Sequence, residues 1–361
     1  MPERLLPLLL APGWKRVAPW LTGRKLLWQT GGTLMQGETD FRLVNALGEL
    51  GPTDCPATVD PVRRMVYAYT APYHQGQKDA SELRAWHLDL GTSSRLFPLG
   101  LNQWALWLFS HLPRHDAIFT LVATHMPGQG LNIQHQFGIF DLAKMKQLFI
   151  TLPRDAFFPL DVHVPRREVL FYGAEGYQLI GFSGKRSRRL AGQGLPNGRG
   201  ARFHPSEPWV LLGGDGIYRW HLEGGRIEQL QERGHYPVWD HEHTGYWYSK
   251  SSGDLFHASL QDASAERVVA VAGNSSPELR RASPVVPSAD GRYLIARLTR
   301  RVKRSEDTTL SGEDAYRSDS CLCILDTQQK EVWQYPGLHE YPVWYEPITL
   351  PQDNEAFMLA Q

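Results

Sequence analysis

His235-Tyr236-Pro237-Val238-Trp239 and Glu340-Tyr341-Pro342-Val343-Trp344 are near copies of each other, with His339 just before the second. Self-similarity at a distance marks an array of repeated structural units, and it decides how the rest of the chain divides. Read as extended strands, both copies alternate with period two. Tyr and Val then share one side and Trp takes the other. The Trp is expected to pack between neighbouring units.

A second recurrence surrounds these copies. Leu83-Arg84-Ala85-Trp86-His87-Leu88-Asp89 returns as Phe137-Gly138-Ile139-Phe140-Asp141-Leu142. It returns again as Ile217-Tyr218-Arg219-Trp220-His221-Leu222-Glu223 and as Leu322-Cys323-Ile324-Leu325-Asp326-Thr327. Each is an alternating strand that ends in a polar residue and a turn, followed by another apolar strand. Upstream lies a strand pair joined by a turn, as in Ser283-Pro284-Val285-Val286 and Tyr293-Leu294-Ile295-Ala296 around Asp290-Gly291. Asp-Gly before alternating apolar residues is a strong hairpin signal. The unit is therefore four strands, and the spacing gives units at 53–100, 101–154, 155–195, 196–234, 235–274 and 275–337. A seventh is split between the chain ends. Residues 338–361 are expected to supply a first strand at Val343-Trp344 and a second at Phe357-Met358-Leu359. The segments Lys25-Leu26-Leu27-Trp28 and Phe41-Arg42-Leu43-Val44 would supply the rest. Joining the ends in one sheet removes open edges. The expected fold is all-β: one β-propeller domain over 1–361, with seven four-stranded blades and a split closing blade. Six and eight blades are the alternatives. Residues 300–319 read as a mobile inserted loop.

Composition agrees. The 361 residues carry 38 basic and 38 acidic side chains, 11% aromatics and many Gly and Pro. A zero net charge gives no global pull toward nucleic acid or an anionic membrane. No stretch approaches the ~20 apolar residues of a membrane-spanning helix, so a cytoplasmic protein is expected. Three cysteines, Cys55, Cys321 and Cys323, are too few and odd in number for a disulfide framework. Cys321 and Cys323 read as small core residues.

The turn from Ser283-Pro284 through Asp290-Gly291-Arg292-Tyr293-Leu294 resembles that of TolB-like propellers. Tyr218-Arg219-Trp220-His221-Leu222-Glu223 resembles the third-strand end of a WD40-type blade. The resemblance is to the broad propeller class and names no functional family. It implies that sites gather where loops lead into the first strands and join strands two and three. The channel-mouth candidates are His235, Tyr236, His339, Tyr341, Arg280, Arg281, Arg199 and Trp104. Asp54, Asn102, Gln103, Glu340, Tyr73, Gln75, Lys78, Gln134 and Arg301 fall on the same loops.

His74, His125, His135, His235 and His339 share that face, and imidazoles from several blades suit a transition metal. Chance scatter of 14 histidines gives as many, so no metal is expected, and the cofactor is left open. Asp240-His241-Glu242-His243 looks like a ligand cluster, but the repeat puts it in the turn between strands one and two. There it reads as a solvated turn. The basic runs Lys185-Arg186-Ser187-Arg188-Arg189 and Arg297 to Arg304 fall at different places in their blades, so nucleic acid is not the expected partner. No Gly-x-Ser-x-Gly elbow, dinucleotide fingerprint or phosphate loop occurs. The expected function is a non-enzymatic binding or scaffold propeller with a protein or peptide partner. The alternative is an enzyme or small-ligand binder of lyase or hydrolase type. It would take an anionic or sugar-like ligand at a polar, metal-containing channel mouth.

Overall fold

The structure, a computed structural model, describes residues 7–345 except 19–24, 31, 39–43, 51–56, 61–62, 71–72, 75–76, 79–80, 101–102, 111–116, 126–132, 153–155, 164, 174–175, 191–199, 251–252, 263, 272–279, 282–284, 289, 304–315 and 337–339. The described residues form seven blade sheets, one separate two-stranded ladder and no helix, a seven-bladed β-propeller. No helix among them is therefore long and apolar enough to cross a membrane.

The strands fall where the repeat places them. Blade 1 runs from Thr58–Asp60 to Ser93–Pro98, blade 2 from Gln103–Ser110 to Lys146–Thr151, and blade 3 from Ala156–His163 to Arg186–Leu190. Blade 4 runs from Ala201–Phe203 to Ile227–Gln231, and blade 5 from His235–Trp239 to Ala265–Val271. Blade 6 opens with two short pieces, Arg280–Arg281 and Val285–Pro287, and ends at Glu331–Pro336. Its central hairpin pairs as far as Lys303 with Tyr316, into both ends of the 300–319 insert.

Blade 7 closes differently from the sequence expectation. The chain's C-terminal part supplies one strand, Glu340–Tyr345, and it pairs directly with Lys25–Thr30. Thr33–Glu38 and Val44–Glu49 complete the sheet. The division is one strand plus three, because Lys25–Thr30 takes the second position assigned to Phe357–Leu359. Those residues lie outside the described ones.

The chain forms two compact units. Met1–Trp20 with Ala191–Leu338 holds blades 4, 5 and 6, and Leu21–Leu190 with His339–Gln361 holds blades 7, 1, 2 and 3. Each core is built between neighbouring blades. In the first unit, Leu211 and Ile217 of blade 4 pack with Trp239, Tyr246 and Tyr248 of blade 5. Val238, Trp247 and Leu255 of blade 5 pack with Val285, Leu294, Leu325 and Val332 of blade 6. In the second, Leu27 and Leu34 meet Val66 and Trp86, and Phe119 and Phe137 meet Val169 and Phe171. Full burial of each such side chain contributes about 1.5–3 kcal/mol. The expected packing role of Trp239 and Trp344 agrees with their burial, and Trp86 and Trp220 are buried as well.

The opening repeat encodes a β-bulge, which overturns the simple alternation. In blade 5 the register jumps from His235–Ser249 to Val238–Trp247, so Tyr236 and Pro237 together oppose Tyr248. In blade 7 it jumps from Glu340–Gln29 to Val343–Leu27, so Tyr341 and Pro342 oppose Trp28. Tyr236 takes a left-handed φ of 54°. Proline suits the unpaired slot because it has no N–H to leave unbonded. Outer strands carry a second recurrent bulge. Leu47, Leu96, Leu230 and Val268 are the extra residues, and each packs into its blade's core. At Leu96-Phe97 and Val268-Val269 the bulge lets two consecutive apolar residues turn inward where strict alternation would expose one.

An N-terminal strap adds edge strands to two blades of the first unit. Leu8–Leu10 pairs antiparallel with Val269–Val271 of blade 5. Lys15–Arg16 pairs parallel with Glu331–Val332 of blade 6.

Candidate functional site

At one end of each of blades 1 to 6, described turns between strands one and two or between strands three and four are held by side-chain acceptors at strand ends. Between strands one and two, Asp60 accepts from Arg63 N (3.0 Å) and His163 Nδ1 from Arg166 N (3.1 Å). His204 Nδ1 accepts from Glu207 N (2.9 Å), and Asp240 from Thr244 N (3.1 Å). Between strands three and four, Asp141, His221 and Asp326 accept from Lys144 N, Gly224 N and Gln328 N at 2.9–3.0 Å. His87 Nδ1 accepts from Leu90 N at 3.4 Å. Imidazole thus stands in for the carboxylate of an Asx turn. Backbone N–H can only donate, so Nδ1 of these histidines is unprotonated.

At this end of blades 4, 5 and 6 lies a cleft of about 370 Å³. Phe203, Val238, Trp239 and Pro287 supply its apolar lining; Arg202, Asp240, His241, His243 and Asp290 supply its polar lining. The three turns around it interlock. His204 stands edge-on to Trp239 with centroids 4.8 Å apart, and to His243 at 5.1 Å. Gly291, at φ 67°, lies so close under the next turn that a Cβ there would meet His241 Cα at 2.8 Å. Arg202 and His241 are exposed, His243 half-buried. Burial, helped by the charge of His243 and opposed by Glu207, holds the His204 imidazole below its usual pKa.

Both carboxylates of the cleft are engaged. Asp240 Oδ2 lies 3.1 Å from His257 Nε2. Burial pushes that carboxyl up, but the His257 contact and the N–H groups of Gly245 and Thr244 outweigh it and leave it low. A Cβ at Gly245 would sit 2.6 Å from Asp240 Oδ2 and 3.1 Å from His257 Nε2, so glycine makes room for the pair. Asp290 accepts from Ser288 Oγ (2.7 Å) and Arg292 N (3.1 Å). Ser288 Oγ also accepts from Tyr293 N at 2.9 Å. The lone hydroxyl of the lining is thereby committed to its own turn, the Ser-x-Asp-Gly turn that carried the sequence resemblance.

The Asp240-His241-Glu242-His243 segment is in the turn the repeat assigned to it, but it is not wholly solvated. Asp240's side chain is 14% exposed. His241 and His243 do not share a strand face, because His243 is left-handed with φ 57° and turns to His204. Nothing in the sequence alone marked Arg202, Phe203 or Pro287.

Of the channel-mouth residues, His235 is 4% exposed and Tyr236 half-buried, with rings 6.3 Å apart. Tyr236 lies against Gly200, where a Cβ would meet Tyr236 Cα at 2.9 Å. His339 and Arg199 lie outside the described residues, as do the side chains of Tyr341, Arg280, Arg281 and Trp104. His125 and His135 lie on the long central hairpin of blade 2, not in a loop, and burial lowers the pKa of His135. His74 sits in a two-residue ladder opposite Gln77. Gln103 clamps its own loop, accepting from Gly100 N (2.8 Å) and donating to Thr124 Oγ1 (3.2 Å). Among the described residues no three His, Cys, Asp or Glu side chains are placed to hold a metal ion.

Cys321 and Cys323 are 1% and 0% exposed, as core residues would be. They are also polar partners. A hydrogen bond from Cys323 pulls the Cys321 thiol pKa down, with Gln334 and Arg16 assisting against burial. The same bond and burial drive Cys323 up.

No protein-family model matches the sequence, and no curated protein matches it. Solved structures do. A chain of the structure "Dihydro-heme d1 dehydrogenase NirN in complex with DHE" is 14% identical with TM-score 0.56, covering 94% of this chain and 80% of that one. A chain of a Mitotic Checkpoint Complex crystal structure is 10% identical with TM-score 0.51, covering 94% and 83%. TolB from Acinetobacter baumannii is 12% identical with TM-score 0.45, covering 91% and 68%. At these identities the likeness is one of fold. The protein is a seven-bladed β-propeller. Of these structures, one is named as a dehydrogenase and another as a checkpoint complex.

Proposed function

We propose that this protein is a non-enzymatic binding propeller, and that the turn-end cleft of blades 4, 5 and 6 docks an acidic peptide segment of a protein partner. The observation that carries this reading is the cleft's composition. Trp and Arg are the residue types that dominate binding energy at interfaces, and here Trp239 and Arg202 line one concave surface beside Phe203 and Pro287. The exposed Arg202 guanidinium is the group that would meet an acidic partner. Asp240 is held by Thr244 N and by His257, and Asp290 by its own turn, while Arg202, His241 and His243 bring a guanidinium and two imidazoles to the same lining. Ser288 is occupied as a turn cap, which speaks for binding over nucleophilic chemistry there.

A displayed random dodecapeptide library tests this. Selection on the wild type should enrich peptides pairing Asp or Glu with an apolar residue. Arg202→Glu should weaken a selected peptide at least tenfold, and Tyr236→Ala should leave it unchanged. Enrichment of nothing, or equal binding to Arg202→Glu, would overturn the reading.

A further inference from the structure

We propose that the outer part of the blade 6 hairpin is a binding surface for single-stranded nucleic acid, with a row of cations that tracks its phosphates. It is independent of the cleft. Ser288, Asp290 and Gly291 of the cleft precede the hairpin at Tyr293, and this surface lies at the hairpin's other end, where Lys303 pairs with Tyr316.

The hairpin is longer than packing requires. Its strands, Tyr293–Lys303 and Tyr316–Asp326, have eleven residues each. The corresponding strands of blade 4, Trp209–Gly213 and Ile217–His221, have five. The inner half is core, with Ile295, Leu298, Cys321 and Leu322 buried. Beyond it the strands read Thr299-Arg300-Arg301-Val302-Lys303 and Tyr316-Arg317-Ser318-Asp319-Ser320. Val302 is their one aliphatic residue. A sheet gains its stability from an apolar face, and this part has none. A third short strand, Arg280–Arg281, adds to the charge by pairing with Arg300 and Thr299. Arg280 stands directly opposite Arg300, and like charges so placed destabilise a sheet. A bound polyanion offsets that repulsion.

Register sorts the cations by face, because residues alternate along a strand and direct partners share a side. Arg297, Thr299, Arg301 and Lys303 fall on one face, with Arg281 beside Thr299. Leu322, Ser320, Ser318 and Tyr316 stand opposite them. Each of these four successive rows carries one cation, and none carries a carboxylate. On the other face Arg300 is opposite Asp319. In a chain of zero net charge, such segregation makes a local positive field.

The pattern fits one phosphate backbone. Rows two residues apart advance by about 7 Å, the scale on which phosphates follow one another in an extended single strand. Phosphates are contacted by Arg and Lys and by Ser, Thr and Tyr hydroxyls, which are the residue types of these rows. Tyr316 at the outermost row is of the aromatic kind on which bases stack. A lipid surface calls for apolar residues beside the cations, and beyond Leu322 this face has none.

The test is fluorescence anisotropy of a labelled uridine oligomer with the full chain, between about 50 and 200 mM salt. Four phosphate contacts on a single strand predict a slope of log affinity against log salt of about −3. Arg301→Gln/Lys303→Gln should weaken binding at least tenfold and bring the slope to about half. Arg300→Gln/Arg317→Gln, on the opposite face, should change affinity by less than about threefold and leave the slope as it is. Thermal melting checks that both variants fold. Photocrosslinking with 5-bromouridine in the same oligomer needs no variant and should label residues 297–303 or 316–320. Absence of binding at the lowest salt overturns the proposal. So does equal loss in the two variants, crosslinking elsewhere, or tighter binding to a duplex of the same length or to phosphatidylserine vesicles.

Discussion

The turn caps show how single residues set the chemistry of this fold. His163 and His204 accept backbone N–H groups through Nδ1, and both imidazoles sit below the usual range, burial being the main cause. The unfolded chain therefore binds protons first as pH falls. Their contribution is complete above about pH 6.5 and is lost as pH drops through that value toward the folded-state pKa. His204→Asn keeps an acceptor that does not titrate. Denaturant melts between about pH 7.5 and pH 5 should show a shallower loss of stability for that variant than for the wild type; equal slopes would refute the capping account. Gly245 is the second test at this scale. An added methyl meets Ala258 O at 2.5 Å and the Asp240–His257 pair. Gly245→Ala should cost about 2–3 kcal/mol by overpacking, read as a shift in the urea midpoint. The sequence showed polar residues at strand ends but not their task, because Asp and His look unlike as letters and alike only as acceptors.

At the scale of strands, the repeat was legible and its geometry was not. Tyr-Pro-Val-Trp stood out as a recurring string, and period-two reading made it a plain strand. The bulge at Tyr236-Pro237 and Tyr341-Pro342 breaks that period, and a bulge depends on the partner strand, which one segment cannot reveal. The outer bulges at Leu47, Leu96, Leu230 and Val268 were hidden for the same reason. The N-terminal strap went unread because its strands are only three and two residues long. It covers the outer edges of blades 5 and 6, and an open edge is a template for pairing with another chain. Deleting residues 1–18 should lower the thermal midpoint and yield dimers or larger species by light scattering. An unchanged, monodisperse protein would show that the strap is dispensable.

Across the whole molecule, the blade boundaries followed from repeat spacing, while the closing blade did not. Its residues are split between the chain ends, and the choice between two-plus-two and one-plus-three rests on pairing. Leu26–Trp344 and Leu27–Val343 settle it for one-plus-three. Ending the chain at residue 338 removes the first strand of blade 7 and leaves Lys25–Thr30 as an open edge beside the core of blade 1. That truncation should lose a cooperative thermal transition near the wild-type midpoint, followed by circular dichroism. The candidate site was the least legible level. Its lining comes from three blades, and the segment that looked most like a ligand set, Asp240 to His243, contributes there to a hydrogen bond with His257, an aromatic contact and a rim. The most direct measurement maps a selected acidic peptide carrying a photoreactive group onto the protein by mass spectrometry. Crosslinks at Arg202 and at His241 to His243 are predicted. Crosslinks instead at His135, His235 or Tyr236, with the turn end unlabelled, would contradict the account.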